Sequence, residues 1–478
     1  MPNTLIEIHE DTIKPGEIIQ KMREYISNRK AAGELPLYSD SMHSFHVTIE
    51  NNKSLRDSYP SDFTNIQSVY INNQNNGNKK IKLGWVTSWN CRCGIASYSK
   101  YLLHSFDRSR FEIVIFSSTK NILTTTDEDF VVRCWEDDKQ TNLSDLLAHI
   151  IDNKIELLVI QFNFGFFDIR AFESLINSLL QRHIKIIIFF HTTADIFSSG
   201  YCAALKGIVK HIFSHSTSNI FSSYYLAPLK AIAKTLDKVN CLCVHSINDL
   251  NKLKDYGLIR NVTLFPHGVM PNDFDDSVFI KKELSIKGKR IIATYGFLLP
   301  NKGVLELIMA FYQLTEKNPN LHLLLINSMY PIPESHSLKE ECIKLINTIG
   351  LSDKITMINE YLSDDESMLL LKCADIIVFP YQKTQESASG AVKQGIASLK
   401  PVVCSPIPIF DDVRSIVHFL PGTSPDKISS GLSELLENEN LLVSKTELQK
   451  KWIRDNSWEV LSNRLQKVIQ SLIENNSQ

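Results

Sequence analysis

The alternation of short apolar runs with amphipathic stretches, which starts at Ile81, constrains the fold of this chain most strongly. Short runs that are apolar throughout are typical of parallel strands buried on both faces. In the first half of the chain these runs are IKLGWVTSW, FEIVIFSS, ELLVIQFN, IKIIIFFH and CLCVHS, with the helix candidates GIASYSKYLLHSF and FDIRAFESLINSLLQRH between them. Repeated β-α-β units of this kind predict an open, doubly wound sheet.

A second series of the same kind starts near Arg290. Its strand candidates are RIIATYGF, HLLLINSM, KITMIN, DIIVFPY and PVVCSP, and its helix candidates are GVLELIMAFYQLTEKN, SLKEECIKLINTIG, ESMLLLKCA and SASGAVKQGIASL. The sequence therefore predicts an α/β protein with two Rossmann-like domains, at 81–270 and 271–455, facing each other across a cleft. A last helix in 456–478 is expected to pack back on the N-terminal domain. Ligands of open α/β sheets bind at the carboxyl ends of strands, so we expect the site in that cleft.

Residues 1–80 form an N-terminal extension outside these repeats. Apolar residues recur at close to helical spacing at Ile18, Ile19, Met22 and Ile26, which predicts a helix over 13–29. A polar stretch from 39 to 80, ending in NNQNNGNKK, is typical of a linker. The helix either packs on its own protein, which is the interpretation we favour, or binds a protein partner.

The composition excludes several classes of protein. Hydrophobic residues make up 43% of the chain and charged residues 22%, which excludes a wholly disordered or fibrous chain. With 51 Lys+Arg against 53 Asp+Glu, the formal charge is -2, which disfavours bulk electrostatic binding of nucleic acid. No apolar run approaches the ~18 residues of a membrane span, and the first residues carry acids where a signal peptide needs basic residues. We therefore expect a cytoplasmic protein.

The nine cysteines do not indicate a disulfide framework, because their number is odd and they are scattered over a large chain. Two C-x-C pairs occur, Cys91 with Cys93 and Cys241 with Cys243. Zinc sites favour C-x2-C pairs or histidine partners, so we expect no metal. The second pair is interpreted as two small buried residues on one face of a strand.

In the N-terminal half, the candidate site residues follow predicted strands. Gly94 stands where a strand ends and a helix begins, so that backbone can approach an anion there, although many such turns use glycine for geometry alone. No G-x-G-x-x-G and no G-x-x-x-x-G-K-[ST] occurs, which disfavours a dinucleotide or P-loop enzyme. His191 either hydrogen-bonds a sugar hydroxyl or a developing charge, or is satisfied by backbone. His267-Gly268 is expected to form a turn exposed to the cleft.

The C-terminal half supplies two further loops after strands. Lys302 lies beside a predicted helix start and suits a diphosphate, with a solvent-facing lysine as the alternative. Glu386 precedes four small residues at the start of another helix, which are Ser387, Ala388, Ser389 and Gly390. Small residues expose the N–H groups of the helix start, and a carboxylate accepts hydrogen bonds from hydroxyls, so this loop suits a sugar attached to phosphate. The alternative is that Ser387 or Ser389 is only a helix N-cap.

Five motifs occur in a fixed order along these elements. They are W-N-x-x-C-G-I-A-x-Y-S (89–99), V-H-S-x-x-D-L-x-x-L (244–253), N-V-T-L-F-P-H-G-V (261–269), Y-G-F-L-x-P-x-K-G (295–303) and F-P-Y-Q-x-T-x-E-S-A-S-G-A-V (379–392). On these motifs the chain resembles retaining glycosyltransferases of the GT-B fold, specifically glycosyltransferase family 4. The resemblance covers 82–458 and leaves residues 1–80 outside.

The resemblance implies that a sugar is transferred from a nucleotide donor, with its anomeric configuration retained and without a metal or other cofactor. By position, Lys302 would contact the donor diphosphate and Glu386 the donor sugar, and both would be catalytic together with His191, which would face the reacting sugar. The rest of the nucleotide site would come from Gly94 under the phosphates, the N–H groups of Ser387, Ala388, Ser389 and Gly390, and from His267 and Gln394. The resemblance favours mannose from GDP-mannose, within a GDP or UDP donor class, and a glycan or lipid-linked acceptor in bacterial surface polysaccharide synthesis.

Two positions depart from the family pattern. Gln394 stands where the family has a ribose-binding glutamate, and Phe297 occupies the stretch where many members carry an arginine. A glutamine accepts hydrogen bonds less strongly than a carboxylate, and half of the cationic clamp is missing unless Arg92 or Lys393 replaces it. Two alternatives therefore stay open: a catalytically silent GT-B-like protein that binds a sugar nucleotide or acts as a scaffold, and a sugar-nucleotide epimerase.

The segment 196–236 is a candidate acceptor or membrane surface, because it contains lysines and aromatic residues but no Asp or Glu. These residues are Lys206, Lys210, Lys230, Lys234, Tyr201, Phe213, Phe221, Tyr224 and Tyr225. Such a surface could rest on the inner face of an anionic membrane and meet a lipid-linked sugar. The alternative is an ordinary pair of partly buried helices.

Overall fold

Two parallel sheets form, one from each half of the chain, which confirms the two series of strands predicted above. The computed structural model describes residues 15–32, 80–136, 143–193, 228–271, 276–384 and 386–474. The expected linker at 39–79 and the part of the candidate acceptor segment at 196–227 lie outside these ranges. Lys230 and Lys234, from the end of that segment, are exposed on two short helices.

The first sheet has seven strands, all paired in parallel in the order β3-β2-β1-β4-β5-β6-β7. They are β1 (Ile81–Val86), β2 (Phe111–Ser118), β3 (Val131–Trp135), β4 (Leu157–Phe162), β5 (Lys185–Phe190), β6 (Cys241–Val244) and β7 (Val262–Leu264). Successive side chains of β1 enter different cores, Trp85 on one face of the sheet and Val86 on the other. The sheet is therefore buried on both faces, as its apolar runs predicted.

The second sheet has six strands, also parallel, in the order β10-β9-β8-β11-β12-β13. They are β8 (Arg290–Phe297), β9 (Leu321–Ser328), β10 (Ile355–Ile358), β11 (Ile376–Phe379), β12 (Val402–Cys404) and β13 (His418–Phe419). In each sheet the chain runs outward to one edge and then restarts on the other side of its first strand. Ligands of open sheets bind at such reversals, which lie between β1 and β4 and between β8 and β11.

Three strands that the sequence did not predict, β3, β7 and β13, all lie at sheet edges. An edge strand has one neighbour instead of two, so it needs neither the length nor the apolar content of a central strand. The segment VVRCW of β3 carries an arginine, and β7 and β13 have three and two residues. Patterns of apolar runs therefore found the central strands and missed these edges.

Helices cover both sheets. In chain order they are α1 (Pro15–Ala31), α2 (Gly94–His104), α3 (Ser144–Asp152), α4 (Ile169–Gln181), α5 (Pro228–Ala231), α6 (Ala233–Leu236), α7 (Ile247–Asp255), α8 (Ser277–Glu283), α9 (Val304–Thr315), α10 (Pro333–Thr348), α11 (Asp364–Lys372), α12 (Gly390–Ala397), α13 (Pro425–Glu437), α14 (Glu439–Val443), α15 (Thr446–Asp455) and α16 (Trp458–Glu474). Within the described ranges, none of these helices is long and apolar enough to cross a membrane.

The last helix, α16, returns the chain to the first domain. Trp458, Leu461, Leu465 and Ile469 are buried in a core cluster with residues of β1 and β2. The Trp458 ring fills the space in front of Gly268, where an added Cβ would lie 2.4 Å from the ring. Glycine is needed at that position so that the strand exit and the helix can touch.

The N-terminal helix α1 packs on the second domain of its own chain. Its predicted apolar residues Ile18, Ile19, Met22 and Ile26 are buried in the same core cluster as Leu369 and Leu370 of α11. Ion pairs flank this contact, joining Lys21 to Glu283 at 2.7 Å, Arg23 to Glu366 at 2.7 Å, Arg29 to Asp276 at 3.2 Å and Lys30 to Asp365 at 2.6 Å. The apolar face of α1 is thus covered by its own chain, as in the interpretation we favour.

Replacing Met22 with alanine should destabilise the second domain. Met22 is fully buried between α1 and the core, and removing such a side chain leaves a cavity that costs about 2–5 kcal/mol. We expect a lower urea midpoint, followed by circular dichroism, with Gln20→Ala on the exposed face of α1 as the control. An unchanged midpoint for Met22→Ala would mean that α1 is not docked.

Candidate active site

Lys302 and Glu386 meet at the reversal between β8 and β11, although 84 residues separate them in the chain. Lys302 ends a short 3-10 turn after β8, and Glu386 lies in the loop after β11. The Lys302 Nζ atom donates to Glu386 Oε2 over 2.9 Å. The lysine side chain is 11% exposed and the glutamate side chain 50%. The pair therefore consists of a nearly buried cation and a carboxylate that solvent and ligands can reach.

The ammonium group of Lys302 also lies over the ring of buried Tyr381, 4.1 Å from its centroid. Burial by itself would lower the pKa of Lys302, but its interactions with Tyr381 and Glu386 outweigh burial, and the pKa lies above its ordinary value. Lys302 is therefore a permanent cation at neutral pH. A compact, fixed positive charge of this kind suits a diphosphate.

Gly303 allows the two loops to meet. Its φ is +70°, and an added Cβ would lie 2.0 Å from the carbonyl oxygen of Pro380 at the end of β11. Gln382 ties the loops together, because its backbone N–H donates to the carbonyl of Asn301 over 2.9 Å. The position of Lys302 is thus set by backbone contacts before any ligand arrives.

The small residues after Glu386 open helix α12. Ser389 is its N-cap, since its hydroxyl accepts from the N–H of Val392 over 3.3 Å and contacts the Tyr381 hydroxyl at 3.2 Å. Ser387 is different: its Oγ is buried and has no hydrogen-bond partner among the described residues. The capping alternative thus applies to Ser389, while Ser387 keeps a free hydroxyl. Ala388 is half-buried and Gly390 exposed, so the helix start is accessible.

Gln394, one turn along α12, lies near the first turn of α11. Its Nε2 atom is 3.4 Å from the Asp364 Oδ1 atom, and its side chain is half-buried. A ribose would meet this amide next to a carboxylate. The sequence motif contains Gln394 but not Asp364, which the fold brings to it from α11.

The two candidates for the missing arginine differ in their surroundings. Lys393 is buried and forms an ion pair with Asp412, so it is already engaged inside the domain. Arg92 reaches over the ring of Tyr361, 5.0 Å from its centroid, and so crosses from the first domain to the second. Phe297, which stands where many family members carry the arginine, stacks on Tyr361 and meets Tyr330 edge-on, with ring centroids 6.3 and 5.0 Å away. Of the two cations, Arg92 is therefore the better candidate to replace the arginine that is missing at position 297.

Gly94 begins helix α2 after β1, at the reversal of the first sheet. An added Cβ there would meet no atom of the described structure within 4 Å. Packing therefore does not require glycine at this position. The open space lies at a helix N-terminus, where an anion is favoured.

His191 follows β5 and is held by a side chain. Its Nε2 atom lies 2.7 Å from Gln161 Oε1, and its ring packs on the edge of Tyr98 at 5.0 Å between centroids. Burial lowers the pKa of His191 well below its ordinary value, and the neighbouring His245 and His267 add to this. His191 is thus a neutral hydrogen-bonding group at pH 7. Its partner is Gln161 rather than the backbone expected in the alternative interpretation.

Sequence reasoning missed an aromatic cluster around buried Tyr98. The ring contacts His191, His245, His267 and Trp458 at centroid distances of 5.0, 5.3, 5.3 and 5.0 Å. The cluster joins strand ends of the first sheet to α16, elements far apart in sequence. The signal in the sequence was that His191 and His245 each directly follow an apolar strand run.

His267 connects this cluster to the second domain. Its Nε2 atom would lie 3.4 Å from a Cβ added to Gly390, so the start of α12 faces it across the cleft. Burial lowers the pKa of His267 from 6.5 to about 3, helped by the charge of Lys393 and by His245, and opposed by the Gly268 carbonyl. The ring is therefore neutral where it meets the helix start.

The buried neutral histidines predict a pH dependence of stability. Below pH 6.5 the unfolded chain binds a proton at His267 that the folded chain does not bind until about pH 3, so the free energy of unfolding should fall as the pH falls through this window. His267→Gln should reduce the slope, measured from urea midpoints at pH 7.5 and 5.0. His336→Gln, on an exposed helical surface, is the control and should keep the wild-type slope. An unchanged slope in His267→Gln would contradict the assignment.

A second concave surface lies behind the Lys302 turn and has a different character. This groove of about 470 Å³ is bordered by Pro300 and by the carboxylates of Glu306, Glu334 and Glu341. Three acids would repel a diphosphate. Among the described residues, no group of three or more His, Cys, Asp or Glu side chains is arranged to hold a metal ion.

Comparison with solved structures shows that two facing domains of this kind form the GT-B fold. Sucrose-phosphate synthase from Thermosynechococcus elongatus matches with a TM-score of 0.62 and 12% identity, over 83% of this chain and 100% of that one. HepE from Anabaena, in complex with UDP, matches with a TM-score of 0.62 and 11% identity, over 82% and 100%. A UDP-forming trehalose-phosphate synthase from Burkholderia xenovorans, in complex with glucose-6-phosphate, matches with a TM-score of 0.58 and 10% identity, over 82% and 100%. At these identities the likeness shows the fold.

The sequence itself matches one family. Residues 275–469, which contain Lys302, Glu386 and the start of α12, match the family described as glycosyl transferases group 1. No curated protein matches the sequence. The family match supports a glycosyltransferase with the GT-B fold.

Proposed function

We propose that this protein transfers a hexose from a nucleotide-diphosphate sugar to a saccharide acceptor. The observation that carries the proposal is the pairing of Lys302 with Glu386 beside the accessible start of α12, at the reversal of the second sheet. A cation, a carboxylate and free helix N–H groups are the chemistry that a sugar diphosphate needs. The family match covers these residues.

The proposed chemistry follows from where charge develops. When the bond between the anomeric carbon and the diphosphate breaks, negative charge builds on the leaving oxygen. Lys302 and the N–H groups at the start of α12 would stabilise that charge from fixed positions, which lowers the barrier. Glu386 would accept hydrogen bonds from the donor sugar, and neutral His191 would face it from the first domain. Retention of the anomeric configuration and independence from metals belong to this proposal and rest on the sequence resemblance.

The donor nucleotide is proposed to be UDP or GDP. HepE of Anabaena has been solved with UDP-glucose, which supports a UDP sugar, whereas the motif resemblance favours GDP-mannose. The ribose would lie near Gln394 and Asp364 of the second domain. Gly94, on the first domain, would face the phosphates from across the cleft. The space in front of Gly94 supports this placement.

The acceptor is proposed to be a glycan or lipid-linked saccharide of bacterial surface polysaccharide synthesis, met at the inner face of the membrane. The segment with Lys206, Lys210, Lys230 and Lys234 supports a peripheral contact. Neutralising these lysines together should weaken sedimentation with anionic liposomes. Unchanged sedimentation would remove the membrane contact from the proposal.

A thermal-shift screen with UDP, GDP and their sugars tests the donor directly. A ligand that binds only the folded state stabilises it by about 2.7 kcal/mol at a concentration of 100 times its Kd. We expect either the uridine or the guanosine nucleotides to raise the melting temperature of the wild-type protein. The Lys302→Ala variant should not show this rise. No response to any nucleotide would contradict the proposal.

Two further outcomes separate the alternatives. Nucleotide binding without sugar transfer to any acceptor would favour a silent GT-B-like protein, which Gln394 and Phe297 motivate. Conversion of the donor sugar without any acceptor would favour an epimerase. Transfer of the sugar, with the anomeric configuration of the product read by NMR, would support the proposal.

A further inference from the structure

The two C-x-C pairs of this chain have different environments. Cys241 and Cys243 are both buried on β6, with their sulfur atoms 3.8 Å apart. Cys91 and Cys93 are half-buried in the loop between β1 and α2, at the edge of the cleft. Cys91 and Cys93 are therefore the more accessible of the two pairs, and access favours oxidation by reagents in solution.

The backbone brings Cys91 and Cys93 together. The N–H of Cys93 donates to the carbonyl of Cys91 over 2.8 Å, which closes a three-residue turn around Arg92. In an extended strand, residues two apart are separated by about 6.6 Å, near the upper limit for a disulfide. A closed turn shortens that separation.

The sulfur atom of Cys93 accepts a hydrogen bond. The Ser88 hydroxyl donates to it over 3.2 Å, and Cys93 is the N-cap residue of the eleven-residue helix α2, where the helix dipole favours negative charge. The thiol of Cys91 lowers the pKa of Cys93, although burial opposes it, whereas the pKa of Cys91 is raised. The Ser88 donor and the position at the helix start agree with this difference, so Cys93 is the nucleophile of the pair and Cys91 the thiol that follows.

We propose that Cys93 and Cys91 form a redox-sensitive site that hydroperoxides convert to a disulfide. The Cys93 thiolate attacks one peroxide oxygen, the O–O bond breaks, and the departing alkoxide or hydroxide takes a proton, leaving a sulfenic acid on Cys93. The Cys91 sulfur then attacks the Cys93 sulfur, the S–O bond breaks, and hydroxide leaves with the Cys91 proton as water. Two thiols are oxidised by two electrons, and the hydroperoxide is reduced by two.

This site lies directly before Gly94. A Cys91–Cys93 disulfide closes the turn covalently and removes the thiolate from the start of α2. The consequence for nucleotide binding rests on the proposed function, because donor phosphate is placed at the same helix start. The oxidation itself rests only on the two thiols.

Peptide mapping of the full chain after mild hydrogen peroxide treatment tests the disulfide. Trypsin cleaves after Arg92, so the peptides 83–92 and 93–100 should stay joined by the disulfide and separate on reduction. In Cys91→Ser, Cys93 should accumulate a sulfenic acid that dimedone traps. In Cys93→Ser, Cys91 should remain free for alkylation. Cys241→Ser is the matched control and should still yield the joined peptides.

Two results would overturn the proposal: peptides 83–92 and 93–100 that remain separate and alkylatable after other cysteines have oxidised, or a Cys91 that oxidises equally fast in Cys93→Ser. This mass readout needs no nucleotide, so it is independent of the donor site. UDP or GDP affinity that falls on oxidation of the wild type, but not of Cys91→Ser, would add the functional consequence. Equal affinity of both oxidised forms would overturn that consequence and leave the disulfide standing.

Discussion

Lys302→Ala should lower kcat/KM for sugar transfer by about 10²–10³-fold, the loss seen when one preorganised group that stabilises a leaving charge is removed. The lysine is nearly buried, positively charged, and held by Glu386 and Tyr381 before a ligand arrives. Alanine removes that charge and frees the Glu386 carboxylate, whose repulsion of a diphosphate adds to the loss. Initial rates with the donor found in the thermal-shift screen provide the measurement.

Lys344→Ala is the control for this prediction, because Lys344 is an exposed lysine of the same domain on α10. It should keep the wild-type rate. A Lys302→Ala protein that folds and retains wild-type kcat/KM would place the diphosphate elsewhere.

Gly303→Ala should disturb both stability and transfer. Its φ of +70° costs an alanine about 1–2 kcal/mol, and the new Cβ would lie 2.0 Å from the Pro380 carbonyl oxygen, which is backbone and cannot turn aside. One of the two loops must therefore move, taking Lys302 or Glu386 with it. A misplacement of about 1 Å can cost 10²-fold in rate, so we expect a loss of that order. Urea midpoints and initial rates are the measurements.

Gly350→Ala is a matched control for the strain. Gly350 has a φ of +68°, but an added Cβ there would meet nothing within 4 Å. Gly350→Ala should lower the free energy of unfolding by about 1–2 kcal/mol and leave the transfer rate unchanged. Equal effects of the two substitutions on the rate would show that the close approach at Pro380 does not position the site.

The meeting of Lys302 and Glu386 could be anticipated from the sequence for a physical reason. Both residues follow apolar runs of strand length, and the carboxyl ends of parallel strands share one edge of a sheet. Neither run showed that β8 and β11 would be neighbours, since strand order depends on which faces pack together. The sequence thus predicted the edge, and the fold supplied the 2.9 Å contact.

Side-chain partners from distant elements could not be anticipated. Lys393 pairs with Asp412, and Gln394 approaches Asp364. Both contacts join α12 to parts of the second domain that lie at least 19 residues away in the sequence. The close approach of Gly303 to the Pro380 carbonyl likewise joins two loops that lie far apart in the sequence. Local patterns report periodicity and turn chemistry, but not which long-range neighbour fills a given space.

A structure of the complex with UDP or GDP tests the central claim most directly. We predict diphosphate oxygens within about 2.7–2.9 Å of the Lys302 ammonium, with others facing the N–H groups at the start of α12. A nucleotide bound in the acidic groove behind Pro300, or in the cleft with Lys302 turned away from its phosphates, would contradict the account.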